Sequence, residues 1–334
     1  MELLYQPGVC RPPEGGTVCT IGAYDGVHVG HRALIARVRA VAADLGCASA
    51  VVTFDRHPAT VVRPESAPKL LTDLDQKLEL LADTGIDYVM VVHFDLERST
   101  ETAEEFVHDV LVRCLGVRAV VVGYDFHFGY KRHGDVALLA SMGAELGFDV
   151  TGVRLTSSPR SGSAADVAAD GGGEEVAAGA RAEETVSSTR IRKLIASGEV
   201  EEAARLLGRP HQVRGMVEHG DGRGRQLGFP TANVAVSSAI ALPADGVYAG
   251  WFTGADQVRR PAALSVGRRP TFYTDAGLSL LEAHLIDFSG DLYGQPSRVE
   301  FLRRLRAQER FGSVGELTER MAADVAEARA LLRP

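Results

Sequence analysis

Two textures of apolar positions divide the chain. In the first half, short apolar runs read as buried strands at Val18–Ile21, Ala48–Thr53, Tyr88–Val92, Ala119–Gly123 and Asp149–Leu155. Helical spacing fills the gaps, over Val29–Leu45, Asp73–Asp83, Thr102–Leu115 and Gly134–Leu146. Such alternation predicts a parallel sheet with helices on both faces, and ligands at the carboxyl ends of its strands. The second half reads differently. Strands are expected at Val213–Val217, Gly246–Phe252, Ala262–Val266, Leu280–Ile286 and Arg298–Leu302. Gly- and Pro-rich turns divide them, and helical periodicity returns only at Val314–Leu332. That pattern predicts a small antiparallel β-barrel closed by one helix.

Between the halves, Ser157–Glu184 is built of Ala, Gly, Ser, Asp and Glu, with almost no large apolar residue. It buries too little surface to offset its ordering entropy and is expected to be flexible. The Gly171–Gly173 triplet argues against an Ala-rich helix there. From Val186, STRIRKLIASGEVEEAARLLGRP predicts two short helices broken at Gly198. The expected organisation is therefore an α/β domain from 1–156 and 186–208, an insertion at 157–185, and a barrel domain from 209–334.

Composition narrows the function classes. The 334 residues are 45% hydrophobic and 24% charged, which suits folded globular domains rather than a disordered chain. The net charge of −8 disfavours a general nucleic-acid binder. No apolar run approaches the roughly 18–20 residues of a membrane span, and no secretory signal is visible, so a cytoplasmic protein is expected. Cys10, Cys19, Cys47 and Cys114 form no CxxC pair and read as reduced thiols.

The first chemical constellation is TIGAYDGVHVGHRALI, Thr20 to Ile35. It is a strand end, a loop and a helix start, and helix N-termini favour phosphate. Gly22 and Gly26 allow close backbone approach. His28 and His31 share one helix face, where two imidazoles can donate to a triphosphate; a metal or surface pair is the alternative reading. GAYDGVHVGH resembles the GxFDGxHxGH motif of the HxGH nucleotidylyltransferase superfamily. TFDRHP (Thr53 to Pro58), VGYDFHFG (Val122 to Gly129) and SSTRIR (Ser187 to Arg192) resemble, in order, motifs of the prokaryotic bifunctional riboflavin kinase/FMN adenylyltransferase family. One departure is Tyr24, where Phe is usual.

That resemblance implies a Rossmann-like nucleotidylyltransferase domain in which FMN attacks the α-phosphorus of ATP and pyrophosphate leaves. It implies that Gly22, Asp25, His28 and His31 handle phosphate, with Ser188, Thr189 and Arg192 on the β- and γ-phosphates. Ser and Thr before a helical run are equally what an N-cap looks like. Arg192 is either a solvated helix charge or a sign of a nearby anion, since a cation one turn into a helix opposes the dipole. Asp55, Pro58, Asp125, Phe126 and Phe128 are implied near the flavin, with the Asp125 loop approaching the flavin or the adenosine, and Asp55 and Pro58 lining the same edge or giving it shape alone. Asp125 reads otherwise as a turn residue, and the two Phe residues as core.

The second constellation is HGDGRGRQLGFPTANV, His219 to Val234. Gly222, Arg223 and Gly224 form a Gly/Arg loop suited to phosphate, or simply a solvated turn; GxxxxGK[ST] is absent. Thr231 and Asn233 are two apart, so on a strand they point to one face, and both offer oxygen to Mg²⁺. The segment resembles the GRxLGFPTAN motif of riboflavin kinases. PADGVYAGW, SVGRRPTF and LEAHLIDFSGDLYG agree with that family. Glu282 stands where the family has its catalytic Glu; alone it would read as an exposed strand carboxylate. Ser265 replaces the more usual Asn of NxG, and Arg268–Arg269 are atypical.

The resemblance thus implies two ATP-dependent reactions, with riboflavin, FMN and ATP as partners and Mg²⁺ as cofactor. Neither nucleic acid nor membrane is expected as a partner. Alternatives are that only one activity is retained, or that the chain is a non-catalytic flavin-binding regulator.

Overall fold

The computed structural model describes residues 1–6, 10–154, 186–220, 222–268 and 279–333. The insertion expected at 157–185 lies outside them, as do Leu155 and the second half of SVGRRPTF, Arg269 to Phe272.

The first half folds around a six-stranded parallel sheet. Its strands are β1 (Glu2–Gln6), β2 (Thr17–Ile21), β3 (Ala48–Phe54), β4 (Tyr88–Val92), β5 (Val117–Gly123) and β6 (Asp149–Val153), in spatial order β1-β4-β3-β2-β5-β6. β2 is buried along its whole length, as a central strand covered on both faces must be. Strand order reverses between β2 and β5, which makes the crevice at their carboxyl ends the topological switch point. β1 is an addition that apolar patterning did not reveal: ELLYQ is an exposed edge strand, held by pairing with β4.

Helix α1 (Val29–Leu45) buries Leu34, Ile35, Val38 and Ala42 on one stripe and ends at Gly46 in the left-handed conformation. α2 (Pro58–Val62) and α3 (Leu74–Ala82) follow β3, with Asp73 capping α3. The helix expected over Thr102–Leu115 starts as α4 (Ala103–Phe106), in a Thr102/Glu105 capping box, and continues as a π-helix over Val107–Cys114. α5 is Val136–Leu146. Apolar clusters fill both faces of the sheet, one built on Phe106, Leu111 and Leu139, the other on Ile35, Val38 and Leu81.

The reading of four reduced thiols needs correction. Cys10 and Cys114 are joined as a disulfide across 104 residues of sequence, while Cys19 and Cys47 are free. No local spacing announces such a pair, because folding alone brings the segment after β1 onto the π-helix. Burial pushes the Cys19 thiol up to about 12.

α6 (Ser188–Ser197) and α7 (Val200–Leu207) break at Gly198, as expected. The second half is a closed antiparallel barrel of β7 (His211–Glu218), β8 (Ala232–Val236), β9 (Gly246–Thr253), β10 (Arg259–Arg268), β11 (Ser279–Leu285) and β12 (Pro296–Ala307), in order β10-β11-β8-β7-β12-β9. A short turn, α8 (Arg223–Gln226), lies between β7 and β8, and α9 (Val314–Leu331) packs on β9 and β10. Tyr248, Phe252, Leu264 and Phe301 fill the barrel.

The halves are joined by contacts, not by sequence alone. Leu71, Ile191, Ile195, Leu206, Leu207 and Ala241 form one apolar cluster. Leu70 pairs with Ile240, Arg214 of β7 grips Glu79 of α3, and Gln76 donates to Gln212. α3 therefore touches both halves.

Candidate active sites

The loop between β2 and α1 is tightly constrained. Tyr24 and Val27 have φ of 50° and 39°, and Gly26 has 84°. A β-branched residue there is strained by on the order of 1–3 kcal/mol, of the kind concentrated at functional sites. A Cβ on Gly26 would sit 2.8 Å from Leu71, and one on Gly22 would sit 3.1 Å from the Tyr24 ring. The Tyr24 hydroxyl, absent from a Phe, is buried and satisfied by Thr20 at 2.7 Å.

That loop delivers the two histidines as a stacked pair, ring centroids 3.5 Å apart. His28 caps α1: its Nδ1 accepts from the His31 amide at 3.3 Å. Burial pushes His28 down to about 4, with Asp25 opposing and Arg209 and Arg192 assisting. Burial, then His28, holds His31 well below its ordinary value. Both rings are therefore neutral at pH 7. His31 Nδ1 is buried without a hydrogen-bond partner among the described residues. Among the described residues, no group of three His, Cys, Asp or Glu side chains is arranged for a metal ion.

Asp25 is 5% exposed, and protein donors already occupy its carboxylate. Leu71 and Thr72 donate to it from their amides at 2.9–3.1 Å, the Thr72 hydroxyl at 3.3 Å, and Arg192 pairs with it. Arg192 Nε also donates to the Lys69 carbonyl at 2.7 Å. The Asp25 carboxylate, expected at the phosphates, is thus held by protein donors in this structure. The α6 N-cap is Ser187, not Ser188 or Thr189. The Ser188 hydroxyl donates to the Asp25 carbonyl at 2.9 Å, and Thr189 is exposed. Arg209, which sequence reasoning missed, donates to the Gly26 carbonyl at 2.8 Å.

The flavin candidates separate. Asp55 accepts from the Phe94 amide at 3.0 Å and lies 2.7 Å from His93 Nδ1. Burial works against its ionisation, but Phe94, His93 and Arg56 together hold its carboxyl below the usual range. Pro58 starts α2, which His57 caps. Asp125 is exposed, and Phe126 is half-buried. Phe128 is 8% exposed, and its ring packs on Phe106 and Phe126 at the edge of the core.

In the barrel, strand register brings the second set together. Ser265 of β10 lies opposite Glu282 of β11, Glu282 opposite Asn233 of β8, and Asn233 opposite Glu218 of β7. Cross-strand partners share a face, so these four form one row. Asn233 is 8% exposed, and its Oδ1 is buried without a hydrogen-bond partner among the described residues. Such an orphan costs about 1–3 kcal/mol, which a bound cation offsets. The donor set therefore fits a hard divalent ion. A Cβ on Gly224 would meet the Phe229 carbonyl at 2.4 Å, so the loop needs glycine there; Gly222 is exposed with φ of 70°. The His284 ring lies 2.8 Å from the Pro230 carbonyl, anchoring the start of PTAN. The Arg223 side chain lies outside the described residues.

A doubly wound domain with a histidine pair at its switch point, joined to a closed barrel with an oxygen-rich row, defines a two-domain enzyme of phosphoryl and nucleotidyl transfer. A family model described as FAD synthetase matches residues 11–161, and one described as riboflavin kinase matches residues 207–332. The chain belongs to the bifunctional riboflavin kinase/FMN adenylyltransferase family. It is 37% identical over 328 residues to that protein of Escherichia coli K12, covering 96% of this chain and 94% of the relative. It is 40% identical to that of Pseudomonas fluorescens, covering 97% and 96%. A solved structure described as a macrolide-efflux protein from Streptococcus pneumoniae superposes with a TM-score of 0.81 at 27% identity, covering 98% of this chain and 99% of that one. Among the described residues, no helix is long and apolar enough to cross a membrane.

Proposed function

We propose that the barrel domain phosphorylates the terminal ribityl hydroxyl of riboflavin with ATP, and that the α/β domain then adenylylates the FMN, releasing pyrophosphate. The α/β domain comprises residues 1–156 and 186–208, and the kinase domain 209–334. The observation that carries this reading is that each chemistry has its own cluster in its own domain: the stacked His28–His31 pair in one, the Ser265–Glu282–Asn233 row in the other.

Adenylyl transfer needs no covalent intermediate, so catalysis is positioning plus charge stabilisation. With Nδ1 of His28 accepting from a backbone amide, the neutral ring carries its proton on Nε2, the donor toward phosphate. His31 and the α1 N-terminus add to it. Ser188, Thr189 and Arg192 hold the outer phosphates, and Asp25 positions Arg192 rather than touching an anion. Asp55, Pro58, Asp125 and Phe126 line the flavin side.

In the kinase, Glu282 accepts the proton of the attacking hydroxyl. The loop around Gly222, Arg223 and Gly224 approaches the phosphates. Thr231 and Asn233 would hold Mg²⁺, which would neutralise phosphate charge there. The enzyme works in the cytoplasm, where ATP is available. Incubation with riboflavin and MgATP, followed by flavin separation, is expected to yield both FMN and FAD. Absence of both overturns the reading.

A further inference from the structure

Lys77, in α3, is a buried cation that the mechanism above does not use. It is 7% exposed. Its ammonium donates to the Phe54 carbonyl at 2.6 Å, the Thr53 hydroxyl at 3.2 Å and the Ala23 carbonyl at 3.4 Å. All three donors thus meet neutral oxygens, and among the described residues no carboxylate forms an ion pair with it. The nearby carboxylates are engaged elsewhere, Asp25 with Arg192 and the Leu71–Thr72 amides, Asp55 with His93 and Phe94.

An unpaired interior charge is costly to hold in the fold. Its three acceptors sit at the ends of β2 and β3, where the loops carrying His28 and His57 begin. Lys77 also lines a cleft with Ala23, Asp25, Asp55, Arg56 and His57. The triphosphate belongs on the α1 side of that cleft, at the histidine pair. The attacking phosphomonoester must then come within about 3–3.5 Å of the α-phosphorus from the β3 side. Two carboxylates stand along that approach, and a second anion meets them unless a fixed positive charge offsets them.

We propose that Lys77 is a positioning residue for adenylyl transfer, pinning the ends of β2 and β3 together and placing a fixed positive charge beneath the phosphomonoester of the attacking flavin nucleotide. This rests on the adenylyltransferase reading of the α/β domain. The charge acts through space, because the ammonium's donors are held by the protein. It favours the flavin phosphate over the triphosphate, which lies farther away on α1.

Burial pushes Lys77 down to about 8, with Asp25 and Asp55 opposing. Facing it are Asp25 from the β2–α1 loop, and Asp55, Arg56 and His57 from the β3–α2 segment. Asp55 is held low, and burial followed by Arg192 lowers His57, so neither changes charge near pH 8. A phosphomonoester, with its second pKa at about 6, is already a dianion there. Loss of the Lys77 proton therefore weakens FMN capture as pH rises.

The test is steady-state kinetics of both reactions in the full chain. Lys77→Met is expected to raise KM for FMN and lower kcat of adenylyl transfer, each by about tenfold or more, with KM for ATP changed less than about threefold. Riboflavin phosphorylation should be unchanged, which reports that the protein is folded. Wild-type kcat/KM for FMN should fall above about pH 8. In Lys77→Arg that alkaline limb should vanish while most activity returns. Equal changes in both KM values, no change in either, or an alkaline limb that persists in Lys77→Arg overturns the proposal. Should Lys77→Met not fold, the two pH profiles decide alone: a wild-type profile flat to pH 10 also rejects it. Wild-type protein that makes no FAD would instead sink the adenylyltransferase reading itself.

Discussion

The two sites handle the same chemical group in opposite ways. At the α/β site most charged groups are already held by protein partners: Asp25 holds Arg192 and two amides, His28 caps its helix, and Lys77 is fully coordinated, while His31 Nδ1 has no partner among the described residues. In the barrel, Asn233 is buried with an orphan oxygen, beside a glycine loop with exposed backbone. The difference matches the chemistry. Nucleotidyl transfer needs two anions held in a rigid frame, and rigidity comes from filled hydrogen bonds. In the proposed kinase reaction a cation would enter with the nucleotide, and the unpaired Asn233 oxygen is a group that could receive it.

That contrast breaks first at the reacting groups. Glu282→Gln should lower FMN formation by about 10³-fold in a riboflavin assay, while FAD formation from supplied FMN is unchanged. The pair His28→Ala and His31→Ala should lower FAD formation from FMN by about 10²–10³-fold and leave FMN formation intact. A variant that silences both reactions in folded protein would remove the separation between the sites.

A smaller effect sharpens the claim about the orphan oxygen. Asn233→Ala should cost about tenfold or more in kinase activity and raise the Mg²⁺ concentration needed, yet the melting temperature should not fall as it does when a satisfied buried amide is removed. Melting temperatures of both proteins, measured without nucleotide, check this.

The smallest effect is on stability against acid. Burial pushes His28 and His211 from 6.5 to about 4. Above pH 6.5 both are neutral whether folded or unfolded. Between 6.5 and 4 the unfolded chain binds protons that the folded chain refuses, so stability falls as pH drops through that window. Denaturant midpoints at pH 7 and pH 5 should show the loss, and His211→Phe should lessen it.

Much of the frame was legible because its signals are local. Buried runs such as TVCTI, the Gly46 and Gly198 stops, and the alternation that ends at the barrel are all carried by neighbouring residues. What escaped was long-range. β1 gains its place only by pairing with β4, and Cys10 meets Cys114 only once the sheet is built. A lysine in an amphipathic helix reads as solvated, and only the packing of α3 beneath two loop ends buries Lys77. The cap fell on Ser187 rather than Ser188, which freed Ser188 to bind the Asp25 carbonyl. At Phe128 the family motif marks the position, while its packing on Phe106 is visible only in the fold.

The claim that one chain holds two separable sites is tested most directly by mixing. Glu282→Gln protein and His28→Ala/His31→Ala protein are each given riboflavin and MgATP, alone and together, and FAD is measured. Each alone should make little FAD, and the mixture should make it at a rate set by released FMN. A mixture that makes none, when the first protein still converts supplied FMN and the second still makes it, would contradict two independently working sites.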